Sequence, residues 1–398
     1  MERGSVDNKP VGRRRFLGTA GLTAGSVAVA GAGGLTWRAA QEGVFATGTG
    51  PAYAAWDQWD RPGRDMLSLL RAGVLAASAH NTQPWLFRVG RDHIDLYADP
   101  RRGMGSMDPL RREMYVSLGC AVENMVLAGP PSGWQPAVTL MPDPARVGHV
   151  ARIRLSPAPV AHSPLYAAVP KRHTDRGAYD TGRPLGAEVA AGLRGQIGAD
   201  SGVRLLWLAS EKSRNIFGGL TVRATRAIIA DPRQAADDFA WYRTGWRQIQ
   251  SRKDGITIDA SGQSPLIRAA AKLLGTSREQ NQDGWLRATR DTHVATAAAF
   301  GILLVRDRLD AVRRLETGRV WQRMHLWATT RGLAVQPLNQ VLERIDREHA
   351  AGLPPHFTDA MADLLPTGWH PLLAFRTGRP TAGTLLSPRR PAEDARLT

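Results

Sequence analysis

The chain holds one cysteine, Cys120, which excludes an internal disulfide. It lies in a helix-patterned apolar run, so a small buried thiol is expected there rather than a nucleophile. Lysine is nearly as scarce. Lys9, Lys171, Lys212, Lys253 and Lys272 stand alone among 52 basic residues, so arginine carries almost all the positive charge. No clustered arginine–aromatic face accompanies it, which removes the main sequence signal for nucleic-acid binding. The ten histidines include no His-Glu-x-x-His pair, and no Cys-x-x-Cys exists, so a metal site has no support. Gly103-Met104-Gly105-Ser106-Met107 is neither a Walker loop nor a dinucleotide fingerprint. Ser78 lacks the flanking glycines of a nucleophile elbow, which argues against a hydrolase.

What is there is globular: 398 residues, 43% hydrophobic and 22% charged, long enough for two domains or one duplicated unit. The formal charge is +16, and the six basic and two acidic residues of 1–40 supply part of it. Arg13-Arg14-Arg15-Phe16-Leu17 fits a twin-arginine signal, followed by an uncharged Gly/Ala-rich stretch and an Ala28-Val29-Ala30 cleavage pattern. The stretch is too weakly apolar for a membrane span, which needs about 20 predominantly apolar residues. Export by the twin-arginine route is expected, with membrane contact only through this segment. That route carries folded proteins, so a cofactor loaded in the cytoplasm is expected too. Residues 1–40 read as the signal and 41–60 as a linker.

Apolar spacing predicts helices over 64–79, 109–128, 185–193, 212–229 and 309–331. Strands are expected at 85–89 and 94–97, a hairpin around Gly90-Arg91-Asp92, then at 137–141, 150–155, 203–208 and 371–376. Residues 295–305 read as a buried strand or an apolar helix. Ser156-Pro157-Ala158-Pro159 marks a boundary between halves 61–160 and 161–398. Residues 231–281 look irregular and read as an insertion, either a lid built on Trp241, Tyr242, Arg243, Trp246 and Arg247 or a peripheral packing loop.

Five stretches carry chemistry. Ala76-Ala77-Ser78-Ala79-His80-Asn81-Thr82-Gln83-Pro84-Trp85 combines small residues, which let backbone approach a flat ring, with Asn and Gln amides for its polar edge. Arg172-His173-Thr174-Asp175-Arg176 offers a guanidinium fork, a hydroxyl and a second cation, a set suited to a phosphate. Arg331-Gly332-Leu333-Ala334-Val335-Gln336-Pro337-Leu338 ends a long helix, with Gly332 as its natural cap. His370-Pro371-Leu372-Leu373 and Ser387-Pro388-Arg389-Arg390-Pro391 close the chain.

Together and in this order, these stretches resemble the flavin-dependent nitroreductase superfamily over residues 60–395. The resemblance implies an α+β nitroreductase-like fold, with a central mixed or antiparallel sheet flanked by helices in each half. It implies FMN bound by Ala77, Ser78, Ala79, Asn81 and Gln83 at the ring, by Arg172, His173, Thr174 and Arg176 and Arg390 or Arg389 at the phosphate, and by backbone near Gly332 and Leu333 at N5. It implies hydride transfer from NAD(P)H to a small oxidised acceptor, with no side-chain acid or base required. The first half has no Arg-x-Ser-x-Arg segment and the second no Asn-x-Gln-Pro-Trp turn. The chain therefore resembles the fused Acg-type branch: one FMN per chain, in a monomeric pseudo-dimer. A covered flavin held for storage, without turnover, is the alternative.

Overall fold

The computed structural model describes residues 36–59 and 65–397. The twin-arginine segment lies outside them. The fold is α+β, built on two four-stranded antiparallel sheets. The first, of order β1-β2-β4-β3, comprises β1 (Trp85–Val89), β2 (His93–Ala98), β3 (Trp134–Leu140) and β4 (His149–Pro157). The expected hairpin pairs Trp85 with Ala98 and Val89 with Ile94.

The second sheet, of order β5-β8-β10-β9, comprises β5 (Arg204–Leu208), β8 (Ala299–Val305), β9 (Ala334–Pro337) and β10 (His370–Gly378). All seven residues of β8 are buried, which explains why its pattern allowed a helix. Its strand identity follows from short length and β-branched and aromatic content. In sequence between β5 and β8, β6 (Tyr242–Arg243) and β7 (Ile256–Thr257) form a two-residue parallel pair.

Helix α1 (Met66–Gly73) is shorter than its apolar spacing suggested. Beyond it His80, Asn81 and Gln83 adopt positive φ (46°, 54° and 52°), a backbone that cannot continue a helix. Helix α2 (Arg112–Ala128) is buried along nearly its whole length. Helix α3 (Glu211–Ala230) is followed by α4 (Pro232–Phe239), α5 (Pro265–Leu274) and α6 (Arg278–Ala288). The stretch expected to be irregular is thus largely helical. Its helices are short, so each gives an apolar period few turns in which to show, but caps mark them. Asp231 and Ser264 cap the starts of α4 and α5, each with proline at the first turn, and Ser277 with Gln280 forms a capping box on α6.

Helix α7 (Ala311–Thr330) crosses α2 at a pair of glycines. A Cβ on Gly318 would sit 2.0 Å from the Val116 carbonyl oxygen, and one on Gly119 2.0 Å from that of Leu315. One core runs from Trp85, Leu96 and Ile153 of the first sheet through these helices to Leu303, Val305 and Phe375 of the second. Helix α8 (Gln340–Ala351) then leads to β10. The chain's end returns to the first sheet's side: Arg389 N–H donates to the Ala52 carbonyl (2.7 Å) and Leu397 N–H to that of Phe87 (2.7 Å). Among the described residues no helix is long and apolar enough to cross a membrane.

Candidate functional site

A cavity of about 520 Å³ opens beside the α2–α7 crossing. Four parts of the chain meet there. The turn after α1 gives Ala77, Ser78, Ala79 and His80, and α2 gives Arg112, Glu113 and Cys120. Thr174 and Arg176 come from the basic segment. The turn from β9 into α8 gives Gln336, Pro337, Asn339 and Gln340. The fifth wall is the insertion: Asp238, Tyr242, Ile267 of α5 and Trp285 of α6 line it, with His293 beyond. Among the described residues no cluster of three His, Cys, Asp or Glu could hold a metal.

Ala77, Ser78, Ala79, Thr174 and Arg176 line the cavity. Asn81 and Gln83 do something else. The Asn81 amide donates to the carbonyls of Gly255 (3.1 Å) and Pro388 (2.9 Å), and its oxygen accepts from Arg389. Gln83 donates to the Lys253 carbonyl (2.8 Å) and accepts from Arg390 N–H (2.8 Å). These two amides bind the insertion and the C-terminal tail to the turn. A three-dimensional partner 170 to 307 residues away was invisible in the motif itself.

Gly332 and Leu333 also lie off the cavity. Gly332 (φ +64°) ends α7, and Leu333 is buried in the core. The strand they start carries the chain into the site at Gln336 and beyond. There Asn339 does not cap α8: its side-chain oxygen accepts instead from Ala374 N–H (2.9 Å). The first N–H groups of α8 keep their partial positive charge beside the cavity.

Arg172, His173 and Arg389 stand behind the wall rather than in it. Arg172 donates to the Leu75 carbonyl (3.2 Å) and Arg389 to that of Ala76 (3.3 Å), the residues leading into the turn. The Arg389 guanidinium lies 5.1 Å over the Trp56 ring, and His173 packs edge-on to the same ring at 4.9 Å. Neither arginine has a carboxylate partner among the described residues, and Nε of each is buried without a hydrogen bond. Burial pushes Arg172 down to about 10, and burial together with Arg172 pushes Arg389 well below its usual value. Arg390 donates to the carbonyls of Gln83 (3.3 Å) and Asp394 (2.6 Å) and is bound up in the tail.

The cavity also has an acidic side. Arg112 is fixed between Asp346 (2.6 Å) and Glu113 (2.9 Å). Burial, then the nearby Glu113, raises Glu343 well above the usual carboxylate range and Asp108 up to about 7. Glu343 Oε2, Gln340 Oε1 and both nitrogens of His293 have no partner among the described residues, though all three side chains line the cavity. Of the five aromatic and arginine residues expected in a lid, Tyr242 reaches this space. Trp241 packs on Met104 and Met107, Trp246 lies against Gly43, Arg243 pairs with Asp254 (2.8 Å), and Arg247 meets Gln41 (3.3 Å).

The buried histidines set a pH prediction. Burial, reinforced by Arg172 and Arg389, drives His173 down to about 3. Burial likewise drives His293 and His325 well below their ordinary value. Each holds its proton less well folded than unfolded, so its stabilisation is present above about pH 6.5 and lost as pH falls. Raised Asp108 and Glu343 act oppositely: their stabilisation is full near pH 4 and lost as pH rises through about 7 for Asp108. Three groups outweigh two below pH 6.5, and above it the carboxyls act together with His80, which, against burial, Asp238 holds above its ordinary value. The melting temperature of the cofactor-free protein should peak near neutrality and fall on both sides. A calorimetric series from pH 4 to 9 that rises steadily in either direction would contradict these assignments.

No family model matches the chain. It is similar to a Mycobacterium tuberculosis protein provisionally named NAD(P)H nitroreductase: 28% identical over 316 residues, 78% of this chain and 84% of the relative. An uncharacterised protein of the same organism is 27% identical over 124 residues, 28% of this chain and 36% of that one. Among solved structures, a nitroreductase with bound FMN from Desulfitobacterium hafniense aligns with 59% of this chain and 97% of its own (TM-score 0.35, 13% identity). A protein from Anabaena variabilis provisionally described as a nitroreductase aligns with 82% and 91% (TM-score 0.40, 11% identity). The sequence relationship spans most of both chains, so what this protein is similar to over that length is a protein named as a nitroreductase.

Proposed function

We propose that the chain binds one FMN and uses it to move two electrons from NAD(P)H to a nitro or quinone-like acceptor. The observation that carries this reading is the pair of buried guanidinium groups, Arg172 and Arg389, each with an orphaned Nε and no carboxylate, directly behind Ala77. Buried charge without a counter-charge is costly, and a phosphate dianion supplies that counter-charge. Arg172 and Arg389 would hold the phosphate, and Thr174 and Arg176 of the same basic segment line the cavity. The small side chains of Ala77, Ser78 and Ala79 would leave room for a planar ring against the backbone. Bound there, the flavin supplies reversible two-electron chemistry.

The protein's own groups then orient and tune. The α8 N-terminus directs its positive end at the cavity and favours electron density beside it. The α5 and α6 wall narrows access to the ring, which is the feature the storage alternative would need. The seat for a single phosphate in a chain with two sheets supports one FMN in a monomeric pseudo-dimer. Export by the twin-arginine route remains part of the proposal, supported by Arg13-Arg14-Arg15-Phe16-Leu17.

A visible absorption spectrum of the purified protein, with NADPH and then a nitroaromatic added anaerobically, tests the reading. A flavin band that bleaches and returns is expected. A colourless protein that refuses FMN in titration overturns it. A yellow protein that no nicotinamide reduces establishes the storage alternative instead.

A further inference from the structure

We propose that His80 is the proton donor that completes reduction of the acceptor in this cavity, with Asp238 as its positioning residue, and that the acceptor is an oxygen acceptor such as a quinone or nitro compound. This rests on the flavin reading. The family resemblance implies no side-chain acid or base, so a proton donor here is an addition to it.

The geometry is of another kind. His80 Nε2 lies 2.8 Å from Asp238 Oδ1, a partner 158 residues away on α4 of the insertion. Both side chains line the cavity, next to Ala77, Ser78 and Ala79. The His80 ring is half-buried, 13% exposed, and its Nδ1 has no hydrogen-bond partner among the described residues. The backbone at His80 is left-handed (φ 46°, ψ 19°) without being glycine. Strained non-glycine positions of this sort concentrate at functional sites. With Nε2–H directed at Asp238, a cationic ring presents its Nδ1–H to the cavity.

The surrounding charges favour that cation. Burial opposes it, while Asp238 on α4 and Glu113 on α2 favour it and Arg176 opposes it. Glu343 on α8 and Tyr242 also face this end of the cavity, beside Asp238. The balance holds His80 above its ordinary 6.5.

Reduction of a quinone takes up one hydride and one proton and gives the hydroquinone. Reduction of a nitro group to nitroso takes up the same hydride and proton and releases water. In each case the hydride comes from the reduced cofactor of the proposed activity. The proton leaves His80 Nδ1 for the acceptor oxygen, and water entering the cavity restores it.

The test uses His80→Gln, His80→Asn (which tolerates the left-handed backbone) and Asp238→Asn, each checked for flavin content. Turnover is measured with benzoquinone, p-nitrobenzoate and ferricyanide, the last of which takes one electron and no proton. The quinone-to-ferricyanide ratio is expected to fall about 100-fold in both His80 variants, within the range of general acids. Comparison of the quinone and nitro arms shows which acceptor depends on His80. Wild-type quinone turnover should fall as pH rises through the His80 pKa, and the fall should move to lower pH in Asp238→Asn. In cofactor-free protein, histidine ¹⁵N NMR should place His80 above 6.5 and lower in Asp238→Asn. An unchanged ratio in yellow variants, or a His80 resonance titrating at or below the ordinary value, overturns the proposal alone. A colourless wild-type protein overturns it together with the flavin reading.

Discussion

Gly318→Val is expected to abolish cooperative folding at 37 °C, and Gly318→Ala to lower stability by several kcal/mol. The added Cβ would lie 2.0 Å from the Val116 carbonyl oxygen and 2.9 Å from the Gly119 Cα. Those are backbone atoms of a buried helix, so no side-chain rotation relieves the overlap. Helices α2 and α7 would have to separate, and the core that joins both sheets runs through their contact. Overpacking in a core ordinarily costs about 1–3 kcal/mol, and more where backbone must move. Native stability is itself only about 5–15 kcal/mol. The contact is tight enough that the Cys120 thiol donates to the Gly318 carbonyl (3.3 Å). Gly219 supplies the control. It is an exposed residue within α3, and a Cβ there meets nothing within 4 Å. Gly219→Ala should stabilise by about 0.5–1 kcal/mol through helix propensity alone. Urea melts that rank Gly318→Ala level with Gly219→Ala would sink the argument.

The same crossing shows what sequence could and could not convey. The repeat of Met114, Leu118, Val122 and Met125 marked α2 as a buried helix, and Cys120 as an interior thiol, because 3.6-residue periodicity is a local property. That Gly119 faces Gly318 is a long-range fact with no local signature. The hairpin at Gly90 was legible for the same local reason. The cavity walls divide along this line. Ala77, Ser78, Ala79, Thr174 and Arg176 were found through motifs whose spacing is contiguous. The pairing of His80 with Asp238 joins the turn to a helix of only eight residues, in a stretch whose sequence reads as irregular. The acidic side, where Arg112 meets Asp346 across 234 residues, had no motif at all. Asn81 and Gln83 illustrate the converse. Their chemistry was read from residue type as ring recognition, yet two amides that hydrogen-bond a flat edge can equally bind backbone carbonyls.

Arg172→Met and Arg389→Met are each expected to weaken FMN binding about 10- to 100-fold, while leaving the cofactor-free protein as stable as before or more so. The two halves of this prediction have one cause. A charge-assisted hydrogen bond to a buried phosphate contributes about 1.5–3 kcal/mol, and each 1.4 kcal/mol is tenfold in affinity. Without an anion, the same guanidinium is a buried cation beside another cation, with Nε orphaned and no carboxylate in reach. Replacing it by an apolar side chain removes the cost of burying an unpaired cation, which offsets the loss of its donors to the Leu75 or Ala76 carbonyl and to Asn81. Asn81→Ala separates contact from positioning. Its amide anchors Gly255 and Pro388 and accepts from Arg389, so its loss should weaken FMN through a displaced Arg389 and also lower cofactor-free stability by about 1–3 kcal/mol. Thermal melts with and without FMN read both quantities together, because bound ligand adds RT ln(1 + [L]/Kd) to stability. The arginine variants should lose the FMN-induced rise and keep the baseline, and Asn81→Ala should lose part of each. An arginine variant that drops the baseline but keeps the rise would mean that these side chains serve the core and the phosphate lies elsewhere.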